Sequence, residues 1–172
     1  NWRILPRQAV HDSSSVTYPV FTAIAAPEVQ NKLNGDFAII AGPYLQNLAT
    51  GGCELDYTLT FVSEKFISMV FFGVLDEGEK EIFAKIPLNI DVQTGAQLAL
   101  GDVLNLRDAD LLPVLRLLTK KDKVDFSKGI PESWYYNGTN FVFCQRSEIG
   151  EWLEATVAAS DLKKFLLKPE LF

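Results

Sequence analysis

A single histidine, two cysteines and one methionine among 172 residues leave little of the side-chain chemistry from which most metal and nucleophile sites are built. The one imidazole, His11, stands beside the polar break Asp12-Ser13-Ser14-Ser15. A triad of His11, Asp12 and Ser13 would need neighbours in sequence to reach a mutual geometry they rarely have, so the segment reads as a solvated turn. Cys53 and Cys144 lack any C-x-x-C spacing, which excludes a zinc knuckle and a thioredoxin-like pair. They fit either one long-range disulfide or two packed thiols, and the apolar strand pattern around each favours the thiols. A cysteine nucleophile would depend on His11 as its base, with no cysteine-protease signature around it. There is no G-x-S-x-G, no P-loop, no H-E-x-x-H and no G-x-G-x-x-G between a strand and a helix.

Basic residues are also scarce. Sixteen Lys and Arg against 22 Asp and Glu give a net charge of −6, which opposes the counterion release that drives binding to phosphate backbones. Nucleic acid is therefore not an expected partner. The densest basic run, Lys120, Lys121 and Lys123, is interrupted by Asp122, followed by Asp125, and reads as a solvated helix end or loop. Long apolar runs are missing too: the strongest, Ile67 to Leu75, contains Ser68 and Gly73 and falls short of the roughly 20 residues that span a bilayer. A chain beginning at Asn1 reads as mature or trimmed, and membrane association is expected only through an anchor outside this sequence.

What is present is material for a core: 48% of the side chains are apolar, enough for one ordinary domain without disulfides or metal. Residues 2–21 read as two short strands, with Pro6 and Pro19 opposing helix. After Pro27, apolar side chains at Val29, Leu33, Phe37, Ile40, Tyr44 and Leu48 trace one face of a helix. Pro43 predicts a kink or an end there, and Thr50-Gly51-Gly52 a stop. Cys53 to Phe61 alternates with period 2, the pattern of a half-buried strand, whereas Phe66 to Leu75 is apolar on both parities and predicts a central strand.

A third strand runs from Ile82 to Val92, with Pro87 favouring an edge or a bulge, and turns at Gln93-Thr94-Gly95. Asp108 is placed to cap a helix carrying Leu111, Leu112, Leu115 and Leu118. Residues 119–129 are the most polar stretch and predict a mobile loop, a candidate binding loop. Trp134 to Tyr136, Asn137-Gly138, then Phe141 to Cys144 predict a hairpin with a type I′ turn, which explains the Asn137-Gly138-Thr139 sequon without glycosylation. A strand near Ala155 to Ala158 precedes Ser160, which can cap a short closing helix.

The remaining candidates for chemistry are acidic. Glu148, Glu151 and Glu154 form a cluster from which a glycosidase pair could be drawn, although a solvated strand or turn explains the spacing equally well. Asp108 and Asp110 could touch calcium, but acids at a helix start are the ordinary case.

Several segments together resemble one family: the paired extracellular domains of unknown function of RsiV-type anti-sigma factors and PdaC-type polysaccharide deacetylases. The resemblance rests on Tyr18-Pro19-Val20 with Glu28-Val29-Gln30-Asn31-Lys32-Leu33-Asn34, and on Phe66-Ile67-Ser68-Met69-Val70-Phe71. The most specific stretch is Leu88-Asn89-Ile90-Asp91-Val92-Gln93-Thr94-Gly95 with Leu98, Leu100, Asp102 and Leu104. Tyr136 to Phe143 and Ser160-Asp161-Leu162-Lys163 match the closing hairpin and terminal helix. These residues read as scaffold: Thr94-Gly95 turns the chain, and Asp102 can cap a short helix. At Ile149-Gly150-Glu151-Trp152-Leu153-Glu154 the chain departs from the family, which there shows a proline-tyrosine segment. The Asp and paired His of a deacetylase site are missing.

The resulting expectation is an α+β fold, a mainly antiparallel sheet with a helix in each half and a short C-terminal helix. Residues 1–172 are expected to form a single compact unit, with 10–78 resembling the N-terminal and 79–168 the C-terminal family domain. The resemblance implies a non-catalytic extracytoplasmic ligand-binding or sensor module of the bacterial cell envelope, secreted or membrane-anchored, with no catalytic, cofactor or metal residues assigned. Its partner would be a cationic envelope protein such as lysozyme, or a cell-wall component. Glu77, Glu79 and Glu81 would steer a cationic partner in. The competing readings are an accessory or structural envelope domain and a carboxylate-dependent hydrolase.

Overall fold

The segments with period-2 or continuous apolar patterns become the strands of two sheets in the computed structural model, which describes residues 2–76 and 78–172. The first sheet takes β1 (Arg3–His11), β2 (Ser14–Thr22), β3 (Cys53–Val62), β4 (Phe66–Asp76), β5 (Glu81–Asp91) and β6 (Ala96–Gln97), in that spatial order. The second takes β7 (Ser133–Tyr136), β8 (Asn140–Arg146) and β9 (Trp152–Ala158), also in order. The helices are α1 (Pro27–Asn47), α2 (Leu100–Val103) and α3 (Leu111–Leu118). The architecture is α+β, 29% helical and 42% strand, with mainly antiparallel pairing. The parallel pair β2–β3 is the consequence of α1, which carries the chain back to start β3 in the direction of β2.

By contact the chain divides into two compact units that interleave in sequence. One holds residues 1–58, 70–86 and 92–95; the other holds 59–69, 87–91 and 96–172. The division cuts through β3, β4 and β5.

In the first unit, α1 buries Val29, Leu33, Phe37, Ala41 and Tyr44 on one face. It starts with Pro27 in its first turn, where a missing N–H costs nothing. It also continues through Pro43, where an end or kink was expected. The bond Pro43 cannot donate would reach the carbonyl of Ile39, a residue 75% exposed, where water can replace it. Phe21 stacks on Phe37 at 5.7 Å, and Phe37 meets Phe71 at 6.0 Å. The amide of Asn34 clasps the end of β2, accepting from the Phe21 N–H at 2.7 Å and donating to its carbonyl at 3.0 Å. Gln30 accepts from the Ile24 N–H at 3.1 Å. Lys32 donates to the carbonyl of Gly95 at 2.7 Å, fixing the Thr94-Gly95 turn against α1.

In the second unit, Trp134, Tyr136, Phe141, Phe143, Ala155 and Val157 form the inner face of the three-stranded sheet. They share a core with Leu111 and Leu115 of α3 and with Leu162 and Phe165. Among the described residues β6 pairs with Ile90 and Asp91 and not with Pro87, which places Pro87 at a stretch of β5 that β6 leaves uncovered, as the missing N–H requires. Two buried side chains serve the backbone of β7. Ser68 donates to Asn89 Oδ1 at 2.7 Å and accepts from the Tyr136 N–H at 2.8 Å, while Asn89 Nδ2 donates to the Trp134 carbonyl at 2.7 Å.

Local expectations are corrected at several places. Asp110, not Asp108, holds the N-cap position of α3, and the Asp108 carboxylate instead accepts from the Asp110 N–H at 2.9 Å. Asp102 serves α2 by reaching back from inside it, accepting from the Ala99 N–H at 2.8 Å. The turn after Tyr136 is not type I′, which needs positive φ at two residues; only Gly138 has it, at 93°. Tyr136 pairs directly with Phe141, leaving a longer loop in which Asn137 Oδ1 accepts from Thr139 and Asn140 N–H. The closing segment winds as a 3-10 helix, Ala159–Phe165, with Ser160 inside it and no side-chain cap.

Candidate binding cleft

Strand alternation brings one acidic and two aromatic side chains together on the second sheet. In β7–β8–β9, Tyr135 lies opposite Val142, which lies opposite Thr156; Trp152 lies opposite Arg146 and Glu154 opposite Cys144. Residues directly opposite share a face, as do residues two apart. Tyr135, Trp152 and Glu154 therefore project from the face turned away from the Trp134–Phe143 core. The β8–β9 connection is closed by Ser147, whose N–H donates to the Glu151 carbonyl at 2.8 Å and whose Oγ accepts from the Glu151 N–H at 3.0 Å. Gly150 turns it with a φ of 84°.

The Glu154 carboxylate is gripped on both oxygens. Tyr135 donates its hydroxyl to Oε2 at 3.2 Å, and Trp152 donates its indole N–H to Oε1 at 3.2 Å. Burial, and then the neighbouring Glu154 charge, push the Tyr135 hydroxyl well above the ordinary tyrosine range, so it stays a donor at physiological pH. Trp152, Leu153 and Glu154, with Glu151 and Lys123, line an open cleft of about 460 Å³. The arrangement presents a carboxylate held by two hydrogen bonds, a partly exposed indole and a second, exposed acid, Glu151. Such a surface can receive a cation or a group stacked on the indole.

Of the acids expected to cluster, the structure joins Glu151 and Glu154 in this cleft. Glu148 stands in the loop, 94% exposed, 4.0 Å from Lys128. His11 and Asp12 form the β1–β2 turn with their side chains in solvent, 3.5 Å apart, and Asp12 has a φ of 50°. Cys53 and Cys144 form no disulfide and are buried on β3 and β8. Asp110 pairs with Lys164 at 3.0 Å. Among the described residues no group of three or more His, Cys, Asp or Glu could hold a metal ion. Glu79 and Glu81 are exposed, and Glu77 lies outside the described residues.

The segment expected as a mobile loop is pinned. Val124 and Phe126 are buried, Arg116 donates to the Phe126 carbonyl at 3.1 Å, and the Asp125 N–H donates to Gln145 at 2.9 Å. Its Lys123 nonetheless reaches the cleft. Sequence reasoning found the acids and missed Tyr135 and Trp152. The available signal was Trp152-x-Glu154 at strand spacing, which puts both on one face, next to a Tyr in the neighbouring hairpin.

No protein-family model and no curated protein matches the sequence. Solved structures do match the fold. A DUF3298 family member from Bacteroides fragilis superposes with a TM-score of 0.66 at 12% identity, over 96% of this chain and 93% of that one. A DUF3298 family protein from Pseudomonas aeruginosa superposes with a TM-score of 0.60 at 14% identity, over 100% and 96%. The chain has the fold of DUF3298 domains. At this identity the likeness extends to the DUF3298 architecture and not to the residues of the cleft. Among the described residues no helix is long and apolar enough to cross a membrane.

Proposed function

We propose that this chain is a non-catalytic binding or sensor module of the bacterial cell envelope, exposed outside the cytoplasm, which takes a cationic partner at the Trp152–Glu154 cleft. The observation that carries this reading is the double hydrogen bond from Tyr135 and Trp152 to Glu154. A carboxylate held on both oxygens is fixed in place as a charge, which suits recognition better than the proton exchange and freedom a general acid or nucleophile needs. The net charge of −6 favours a cationic partner over an anionic polymer. The DUF3298 fold and the motif resemblance to anti-sigma ectodomains and deacetylase-associated domains support an envelope setting and nominate lysozyme as the first partner to try.

The test is calorimetric titration with lysozyme at low and at physiological salt, because loose attraction fades with screening while a packed interface keeps its stoichiometry. Glu151→Lys and Trp152→Ala should each weaken saturable binding by about tenfold or more, the scale of a buried anchor. Absence of saturable binding at physiological salt would remove lysozyme as the partner. Fractionation of cells expressing the full gene tests the location.

The placement of Glu151 and Glu154 in one cleft favours a second reading, a carboxylate-dependent hydrolase. Turnover of cell-wall glycan that Glu151→Gln and Glu154→Gln both abolish would replace the binding reading.

A further inference from the structure

A second cavity, of about 440 Å³, opens elsewhere in the same unit, between the β7–β8 turn and the closing segment. Its apolar surface is supplied by Tyr136, Leu166 and Phe172. These walls are fixed: the Phe172 ring sits 4.8 Å from Phe141 and 5.1 Å from Tyr136, inside the aromatic core. The turn forming the opposite lip is fixed as well. The Ala159 N–H donates to the Thr139 carbonyl at 3.0 Å, and a Cβ on Gly138 would stand 3.4 Å from the Phe61 ring, so the turn lies closely on that ring.

Three of the lining residues carry a hydroxyl or an ammonium outside the aromatic core: Thr139, Ser160 and Lys163. Among the described residues none of these three side-chain groups has a hydrogen bond or ion pair, whereas the adjacent Lys164 is committed to Asp110 at 3.0 Å and to the face of Phe165 at 4.6 Å. An apolar pocket lined by a few polar groups is the usual form of a small-molecule site, and the volume falls in the range of about 300–1,000 Å³ for such sites. One cation and two hydroxyl donors, with no Asp or Glu side chain among the lining residues, favour an anion.

We infer that this pocket binds a small amphiphilic carboxylate, an acyl chain of medium length whose tail lies against Tyr136, Leu166 and Phe172 and whose head meets Lys163, Thr139 and Ser160. The site shares no lining residue with the Trp152–Glu154 cleft, and its occupancy does not depend on the partner proposed there.

Decanoate, decanol and decylamine, each below its aggregation concentration, are titrated into the whole chain by calorimetry, with amide resonances of Thr139 and Ser160 followed by NMR. Decanoate should saturate with one site and shift both amides. Decanol should bind at least fivefold more weakly, and decylamine more weakly still. Lys163→Gln, at an exposed position where folding is unaffected, should reduce decanoate affinity at least fivefold and leave decanol unchanged. Ala159→Phe, which fills the cavity from its lining, should abolish both. Failure of decanoate to saturate, equal binding of decylamine, or full affinity in Lys163→Gln each overturns the proposal.

Discussion

Tyr44 of α1 lies directly over Gly73 of β4: a Cβ built on Gly73 would overlap the Tyr44 ring and hydroxyl. Glycine in a strand interior ordinarily weakens the strand, and here it admits the aromatic ring of a packed helix. The Cys53 thiol donates to the Tyr44 carbonyl at 3.3 Å, so the same turn of α1 is also held from β3. Gly73→Ala should destabilise the protein by about 1–3 kcal/mol, the scale of overpacking a rigid core. In a Tyr44→Ala background the added methyl should cost less or even fill space, giving a coupling energy of favourable sign in a denaturation double-mutant cycle. Tyr44→Phe should not relieve the clash, because ring carbons as well as the hydroxyl lie in the way.

The Ser68–Asn89 pair makes a prediction of another kind, since its role is hydrogen bonding. Asn89→Leu would leave the Trp134 carbonyl without its donor and Ser68 without its acceptor, inside a buried region. A loss of about 1–3 kcal/mol is expected for the orphaned groups. Ser68→Ala should cost a similar amount through the Tyr136 N–H, and the double variant less than the sum. Urea denaturation of the four proteins measures this, and strict additivity would mean that the two side chains do not act as one network.

How much of this was legible in sequence follows from the range over which each signal acts. β3 and β4 were clear because alternation and two-sided apolarity are properties of the strand itself. Asn34 and Gln30, by contrast, stood in a quoted motif while their partners, Phe21 and Ile24, are determined only when α1 packs back on β2. Asn89 likewise gains its role from Trp134, 45 positions away. The cleft was half visible, because Glu151 and Glu154 are close in sequence but Tyr135 joins them only through the register of β7 on β8 and β9. The turn after Tyr136 was misread because Asn-Gly admits type I′ geometry without enforcing it, and the Asn137 side chain organises a longer loop instead.

The cysteines give a kinetic prediction. Neither thiol is in a disulfide and both are buried, so a thiol reagent should react slowly with the native protein and with two equivalents on unfolding. Reductant should leave the melting temperature unchanged. A fall in melting temperature on reduction would reveal a bond, since a disulfide closing so long a loop is worth about 4 kcal/mol in the chain-entropy model.

Tyr135 supplies the final prediction, in pH. Its hydroxyl is raised above the usual value of 10.0 first by burial, then by the Glu154 charge and by the hydrogen bond it donates to Glu154. Ionisation would expel a proton that holds the carboxylate and place two negative groups side by side. Because the folded value lies above the unfolded one, the folded state retains its proton while the unfolded state loses it. The stabilisation is therefore fully present below about pH 10 and is lost as pH rises through the folded value. Tyr44 and Tyr136 are raised by burial as well, and Tyr57 by burial and then by Asp56. An ultraviolet titration of the native protein should thus lag behind that of the unfolded chain. Tyr135→Phe isolates the contribution of Tyr135, and Glu154→Gln should lower its titration midpoint by removing the adjacent charge while leaving burial in place. If Glu154→Gln leaves the Tyr135 midpoint where it was, the two side chains are not electrostatically joined, and the charge fixed at the floor of the cleft is not held there by Tyr135.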